Sequence, residues 1–295
     1  MEAKQRTDGF TTKTPVQSAL VLLNRLHRSP DQPPPIPDQP PGEGQQKILV
    51  GLSGGKDSIV VLDLCVTVFG AANVQPFHLY LLPDLRCEQE ILDRVVRYYP
   101  EMPKRIELPR AGLRENLASC TGRSITPSLM DRLGSRSLYN EKSIERIVRS
   151  RTGIRWIAGG HRIFDSLHRR GMLHRCQGFW KESYKTGTFV GRIYPIFLWH
   201  PQDVFSYLKT RKLPIPDMMQ FSAVNYTKSS GTSIVNPVFI QRLKLHYPDD
   251  YAKLKRLFPN LEDSIKRDES RAKYGIDNQL GLETDYGNDH EATSV

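Results

Sequence analysis

The chain has 295 residues, 42 Lys and Arg against 32 Asp and Glu, a formal net charge of +10 and a pI near 9.4. This length suits one sizeable α/β domain with extensions, or two small domains. No apolar run approaches membrane-spanning length, and residues 1–13 lack the apolar core of a secretory signal. These features exclude an integral membrane protein, and we expect a cytoplasmic protein that makes no membrane contact.

The segment before residue 46 predicts a helix and a linker. Apolar residues between Val16 and Leu26 recur close to helical spacing. Seven prolines follow within the twelve residues from Pro30 to Pro41, a composition typical of a stiff spacer. We therefore assign residues 1–28 to a helical appendage that packs elsewhere on the chain or on a partner protein. Residues 29–45 form the linker in this assignment.

Strand-like and helix-like segments alternate between residues 46 and 216. In chain order the predicted strands are Ile48–Leu52, Phe77–Leu82, Lys104–Leu108, Arg155–Ala158 and Arg192–Ile196. The predicted helices are Asp57–Phe69, Glu88–Tyr99, Asn140–Arg151, Ile163–Arg170 and Pro201–Thr210. Such alternation predicts an α/β domain built on a mostly parallel, doubly wound sheet of about five strands.

The last eighty residues differ in character from this domain. Residues 217–276 predict a C-terminal extension of loops and helices, with a charged helical region from Tyr247 to Tyr274. Residues 277–295 contain acids but no Lys or Arg, which predicts an acidic disordered tail.

Positive charge is concentrated between Arg123 and Arg175, where eleven Arg and one Lys stand against four acids. A stretch of this kind indicates a polyanion or an anionic small molecule as ligand, and nucleic acid is one candidate. His161, His168 and His174 lie in the same stretch, but their spacing matches no metal-binding helix, so structural or anion-binding roles are expected.

The cysteines give little sign of metal or disulfide chemistry. Cys65, Cys87, Cys120 and Cys176 are far apart and form no Cys-x-x-Cys pair. This spacing argues against a zinc knuckle, an iron–sulfur cluster or a disulfide scaffold, and we expect no metal site built from protein side chains. Reduced thiols also fit a cytoplasmic location.

One short loop carries the strongest chemical signal. It follows the first predicted strand and reads Ser53-Gly54-Gly55-Lys56-Asp57-Ser58; we call it the 53–58 loop. Its glycines let backbone N–H groups approach an oxyanion, and the helix that follows points its N-terminus at the same place. A Walker A loop would require Ser or Thr where Asp57 stands. The loop therefore predicts a phosphate or pyrophosphate site for a nucleotide.

A second segment predicts another anion contact. It reads Gly159-Gly160-x-Arg162-x-x-Asp165-Ser166-x-x-Arg169, and we call it the 159–169 segment. Two glycines end a predicted strand, and Arg162 can bind phosphate or sulfate with both arms of its guanidinium. Arg169 or Arg170 lies about two helical turns further on and can flank the same groove.

The 53–58 loop resembles the PP-loop of the ATP pyrophosphatase superfamily. The 159–169 segment and the stretch from Arg192 to Pro216 are similar, in order, to segments of the phosphoadenosine phosphosulfate (PAPS) reductase family. This resemblance implies an adenine nucleotide alpha hydrolase-like fold and chemistry at the α-phosphate of ATP. Trp199 and Tyr207 belong to the third match, and we expect both in the core.

The resemblance also assigns roles to residues. It implies Lys56, Asp57 and Arg162 as catalytic residues and ATP with Mg²⁺ as cofactors, with Asp57 as a ligand of Mg²⁺ directly or through another group. An anionic acceptor such as sulfate would take AMP while pyrophosphate leaves. The residues expected to bind the nucleotide are Ser53, Gly54, Gly55, Lys56, Asp57, Ser58, Gly160, Arg162 and Arg170.

Three other functions stay open. A thiol-dependent reductase of PAPS or a similar sulfonucleotide needs a cysteine nucleophile, but the chain has no cysteine after Cys176 and so lacks the family's C-terminal Glu-Cys-Gly-type motif. An ATP-using enzyme that modifies nucleic acid would explain the Arg-rich stretch. A non-catalytic nucleotide sensor would use Val16–Leu26 as its partner arm. Pro83-Asp84-Leu85 replaces the family's Asp-Thr-Gly, so Asp84 is expected to be a turn residue.

Overall fold

The computed structural model describes residues 14–28, 46–80, 82–109, 141–183, 189–217, 237–258, 261–263 and 266. The predicted linker at 29–45, the predicted tail at 277–295, Cys120 and the first part of the Arg-rich stretch lie outside these residues.

The described residues contain one six-stranded sheet. Its strands are β1 (Ile48–Gly51), β2 (Val74–Tyr80), β3 (Ile106–Pro109), β4 (Trp156–Ala158), β5 (Phe179–Ser183) and β6 (Phe189–Ile193). The spatial order is β3-β2-β1-β4-β6-β5, and every neighbouring pair is parallel except β5 with β6. The prediction of a mostly parallel α/β sheet is confirmed. The antiparallel edge strand β5 was not predicted.

Eight α-helices accompany this sheet in the described part of the chain. They are α1 (Pro15–His27), α2 (Lys56–Phe69), α3 (Arg86–Tyr98), α4 (Glu141–Thr152), α5 (Leu167–Cys176), α6 (Pro201–Thr210), α7 (Pro237–His246) and α8 (Pro248–Leu257). Gly70 and Gly153 follow α2 and α4 with positive φ angles of 79° and 69°, which glycine adopts without strain. None of the helices described is long and apolar enough to cross a membrane.

Three predicted elements are wrong in their bounds, and one of them is the strand predicted at Phe77–Leu82, which begins at Val74 and ends at Tyr80. The helix predicted at Ile163–Arg170 instead begins at Leu167, because the Ser166 hydroxyl accepts a hydrogen bond from the Arg169 amide and caps a helix that runs to Cys176. The strand predicted at Arg192–Ile196 ends at Ile193, and the chain then turns with a hydrogen bond from the Phe197 amide to the Tyr194 carbonyl.

The sheet is covered on both faces. On one face α1, α2 and α6 share the largest apolar core with β1 and β4. On the other face Ile144 and Val148 of α4 pack against Leu49, Phe77 and Ile157 of the sheet. This two-sided cover agrees with the doubly wound arrangement expected for alternating β and α segments.

Helix α1 belongs to the main core. Its Ala19, Leu23 and Leu26 are fully or almost fully buried there, and the Pro15 carbonyl accepts a 3.0 Å hydrogen bond from Trp199 Nε1. The apolar face that could have served a partner protein is therefore used within the chain. Trp199 and Tyr207 are both buried, as expected.

The helix pair α7–α8 packs on the start of α3. Leu82, Leu85 and Cys87 join the apolar side chains of these two helices in a separate cluster. Asp250 of α8 accepts hydrogen bonds from the Arg86 amide (3.1 Å) and the Cys87 amide (2.8 Å). A carboxylate from the C-terminal part of the chain thus caps the first turn of α3.

The strand order changes direction beside β1. From β1 the chain crosses to β2 and β3 on one side, whereas β4 and β6 lie on the other. In open parallel sheets of this type, ligands bind at such a switch point, outside the carboxyl ends of the strands. The 53–58 loop follows β1 and the 159–169 segment follows β4, so both lie at that position.

Candidate nucleotide-binding site

The 53–58 loop joins β1 to α2 through a tight turn at Gly54. This glycine has φ of 74°, and a β-carbon there would lie 3.0 Å from Ile91 Cγ2 of α3. Both the left-handed backbone and the close neighbour require glycine at this position.

Backbone N–H groups at the start of α2 are available to a ligand. The helix follows Gly55, which offers no side-chain cap for the first-turn amides. The Ser58 hydroxyl donates to the Gly55 carbonyl at 2.8 Å, and the Ser53 hydroxyl donates to Ser58 Oγ at 3.2 Å. The loop therefore holds its shape with its own serines and presents the N-terminus of α2 to an anion.

Asp57 is the point at which the two predicted motifs meet. Its Oδ2 accepts a 2.9 Å hydrogen bond from Lys56 Nζ, and its Oδ1 lies 3.3 Å from Arg162 Nε. The second contact is an ion pair whose geometry does not make a hydrogen bond. Asp57 Oδ1, Arg162 Nε and Arg162 Nη1 are all buried without a hydrogen-bond partner. Buried polar groups are normally paired, so these three atoms have hydrogen-bonding capacity that no protein group satisfies.

Asp165 accepts hydrogen bonds from Arg162 and fixes its position. The Arg162 amide donates to Asp165 Oδ2 at 2.9 Å, and Arg162 Nη2 donates to Oδ1 at 3.0 Å. Arg169 also reaches Asp165, with Nη1 3.4 Å from Oδ2. The sequence indicated Asp165 only as part of the 159–169 segment. Its hydrogen bonds to Arg162, which is buried with 4 % exposure, were not predicted.

Gly160 provides the close approach between the two motifs. A β-carbon on it would lie 3.1 Å from backbone and side-chain carbons of Asp57. The structure thus brings together Gly160, Arg162, Lys56, Asp57 and the rest of the 53–58 loop, although their roles in binding stay predictions.

Two other candidates stand apart from this junction. Arg170 is exposed, and its Nε donates to the Ile163 carbonyl at 3.3 Å, so its predicted contact with the nucleotide stays a prediction. Cys176 is half-buried at the end of α5, beside the cluster of Ile163, Leu173 and Tyr194, with its Sγ 3.8 Å from the Leu173 carbonyl oxygen.

His161 lies between Gly160 and Arg162 and stays neutral. Burial lowers its pKa to about 4, with a further lowering by the positive charge of Arg169. Its ring packs edge-on against Tyr194, and its Nδ1 is buried without a hydrogen-bond partner. Unlike Arg162, His161 adds no positive charge to the site near neutral pH.

The buried residues His78 and Glu88 lie beside the start of the 53–58 loop. His78 Nδ1 lies 3.0 Å from the Leu52 carbonyl oxygen and must carry a proton to donate to it, while its Nε2 lies 3.5 Å from Glu88 Oε2. Both side chains are buried. This link between β2, α3 and the start of the loop was missed, although a polar histidine inside the apolar run of β2 was a visible signal.

Side chains alone build no metal cluster in the part of the chain described. No three His, Cys, Asp or Glu residues come together there as a ligand group. Asp57 is the carboxylate at the motif junction, and its buried Oδ1 is an oxygen donor of the kind that suits Mg²⁺.

Comparison with known proteins finds a matching family. The model of the phosphoadenosine phosphosulfate reductase domain family matches residues 47–222, more than half of the chain, and spans both motifs. No curated protein matches the chain.

Several solved structures are similar to this chain at low sequence identity. FMN adenylyltransferase from Candida glabrata, in complex with FMN and an ATP analogue, is 13 % identical, with a TM-score of 0.41 over 70 % of this chain and 60 % of that one. PAPS reductase from Candida auris is 15 % identical, with a TM-score of 0.40 over 78 % and 98 %. The U34-tRNA thiolase NcsA from Methanococcus maripaludis is 16 % identical, with a TM-score of 0.43 over 95 % and 86 %.

Proposed function

Since the chain belongs to the phosphoadenosine phosphosulfate reductase domain family, we propose that it binds ATP between the ends of β1 and β4 and cleaves it at the α-phosphate. The contact of Asp57 with Arg162 carries this proposal, because it joins a phosphate-type loop to a guanidinium whose Nε and Nη1 are buried without hydrogen-bond partners. An anionic ligand would satisfy those donors.

The 53–58 loop would bind the departing pyrophosphate. The first N–H groups of α2 point toward it, and the hydroxyls of Ser53 and Ser58 can turn from each other to its oxygens. Lys56 Nζ, which donates to Asp57 Oδ2 at 2.9 Å, adds positive charge beside the loop. These donors stabilise negative charge as it develops on the leaving group.

The reaction is an adenylyl transfer. An oxygen of the acceptor forms a bond to the α-phosphorus, while the bond from that phosphorus to the oxygen bridging to the β-phosphate breaks. The electron pair of the broken bond leaves with pyrophosphate, and the acceptor's proton, where it has one, passes to solvent. This chemistry depends on positioning and charge stabilisation, so it needs no acid–base dyad.

Mg²⁺ would be held mainly by phosphate oxygens, with Asp57 as the protein carboxylate, and would neutralise charge on the phosphates. Asp57 also pairs with two cations of the chain itself, Lys56 at 2.9 Å and Arg162 at 3.3 Å.

An ATP turnover assay that separates AMP from ADP tests the proposal. With ATP labelled at the α-phosphate, and with sulfate or nucleic acid as acceptor in the presence and absence of a sulfide donor, we expect AMP-containing products and pyrophosphate. Lys56→Ala should lower turnover by about 100-fold, the effect of losing one preorganised charge contact. Lys47→Ala, which removes an exposed lysine just before β1, is the matched control and should leave turnover unchanged.

Release of ADP instead of AMP would exclude the proposed cleavage site. Sulfite release from PAPS with a thiol donor, lost in Cys176→Ser, would favour the reductase. Normal thermal unfolding of each variant shows that a loss of turnover is not a loss of folding.

A further inference from the structure

Helix α5 lies along the carboxyl edge of the sheet. It begins after the turn that follows β4, where the Ile163 amide donates to the Phe197 carbonyl. It ends before Gly178, whose carbonyl accepts from the Tyr194 amide just beyond β6. Because β5 runs antiparallel to β6, both ends of α5 are at the edge that holds the 53–58 loop.

The exposed side of α5 is cationic. Leu173 is its one fully buried residue, and the helix contains no Asp or Glu. His168, Arg169, Arg170, His174 and Arg175 are all exposed. Asp165, next to the helix, is already paired with Arg162 and Arg169. A long polyanion could therefore follow this helix to the site.

An exposed aromatic stack borders the same edge. Phe164 is 40 % exposed, and its ring lies 4.0 Å from that of His200 at a tilt of 31°. Leu167 and Leu198, on the two turns that carry these rings, are 81 % and 49 % exposed. Apolar side chains left in water next to a site indicate a ligand with flat or apolar parts.

We propose that this rim surface, formed by α5 with Phe164, Leu198 and His200, binds single-stranded nucleic acid. Arginines that track phosphates beside aromatic rings on which bases stack are the combination that single strands require. An acidic peptide would use the cations but leave the stacked rings unused. The binding site stands on its own, whereas the role of the strand as acceptor in adenylyl transfer rests on the proposed function.

Binding is tested with the full chain and a fluorescein-labelled single-stranded oligonucleotide, as RNA and as DNA, over a range of salt concentrations. We expect binding at low salt that weakens linearly on a log–log plot. Phe164→Ala removes a stacking ring and should weaken binding about tenfold. Arg175→Glu should weaken it and reduce the salt slope by about one.

The control is Arg97→Glu, an exposed arginine in the last turn of α3, which should bind like the unaltered chain. Loss of binding in all three variants, no binding at low salt, or equal affinity for a polyglutamate peptide would each overturn the proposal. ATP binding, measured on the same samples, separates the two hypotheses: normal ATP binding without oligonucleotide binding removes only this inference, and the reverse removes only the proposed function.

Discussion

A β-carbon on Gly160 would lie 3.1 Å from both the carbonyl carbon and Cβ of Asp57. The backbone that follows β4 thus rests directly on the first turn of α2. The two motifs lie about a hundred residues apart in the chain, and this contact sets the distance between the 53–58 loop and Arg162. The small size of Gly160 therefore sets how closely the two motifs approach each other.

Gly160→Ala should therefore damage both stability and ATP binding. Its methyl group meets backbone that cannot move without shifting α2, and overpacking of this kind costs about 1–3 kcal/mol. We expect a lower free energy of unfolding, measured with denaturant, and weaker ATP binding by calorimetry.

Gly171→Ala is the matched control for this change. Gly171 lies inside α5 with no atom within 4 Å of the added methyl group, and alanine in a helix is more favourable than glycine by about 0.5–1 kcal/mol. The two substitutions should shift stability in opposite directions. Equal effects would show that the contact with Asp57 does not limit the site.

Asp165→Asn tests whether Arg162 acts from a fixed position. The amide oxygen can still accept from the Arg162 backbone, but the charge that holds the guanidinium is lost. A hydrogen bond to a charged group is worth about 1.5–3 kcal/mol, so ATP binding should weaken by about tenfold or more. Turnover at saturating ATP should fall less than the affinity does.

The control for that substitution is Asp93→Asn. Asp93 is 61 % exposed and lies 3.6 Å from Arg105, so this long contact with an exposed carboxylate carries little energetic weight. Unchanged ATP affinity in Asp165→Asn would mean that Arg162 needs no carboxylate to hold it.

Local pattern was enough to predict the parallel sheet and the residues of the motif junction. Strand, glycine turn and helix follow one another at both β1 and β4, and the rule for switch points brings their ends together. Helix α6 was predicted with its observed bounds because Pro201 marks its first turn.

The errors arose where distant contacts decide the structure. Strand β5 carries Trp180, Lys181 and Glu182, which are all exposed, so buried and exposed residues do not alternate along it. It is a strand because it pairs with β6. The pairing of His78 with Glu88 depends on the packing of α3 against β2. Likewise, His161 is neutral because of its burial, which no local spacing could indicate.

The neutral state of His161 predicts a pH-dependent loss of stability. An unfolded histidine takes up a proton near pH 6.5, whereas the folded chain resists this until about pH 4. The stabilisation is therefore complete above pH 6.5 and is lost as the pH falls toward 4, by up to about 3 kcal/mol. Denaturant titrations across this range should show a steeper fall for the unaltered chain than for His161→Gln.

His174→Gln controls for the general effect of acid, because His174 is exposed on the same stretch of chain. Its stability should follow that of the unaltered chain at each pH. A His161→Gln profile that is parallel to the unaltered one would contradict the prediction.

Asp63 anchors α2, the helix that carries the 53–58 loop, and its removal should be the most destabilising of the changes considered. The carboxylate is fully buried and accepts from Tyr99 (2.6 Å), Tyr207 (2.5 Å) and both Nε and Nη2 of Arg211 (3.0 and 3.1 Å). Burial and the hydrogen bond to Asp63 raise the pKa of Tyr99 and Tyr207, so both hydroxyls remain donors.

Asp63→Ala leaves those donors facing a cavity, at a cost of about 3–5 kcal/mol. Tyr207→Phe removes one of the donors and should cost about 1–2 kcal/mol. Chemical denaturation measures both, and ATP affinity at low temperature should change little in Tyr207→Phe because the 53–58 loop is untouched. If Asp63→Ala were no less stable than Tyr207→Phe, the carboxylate would not be what holds α2 to α6 and the end of α3.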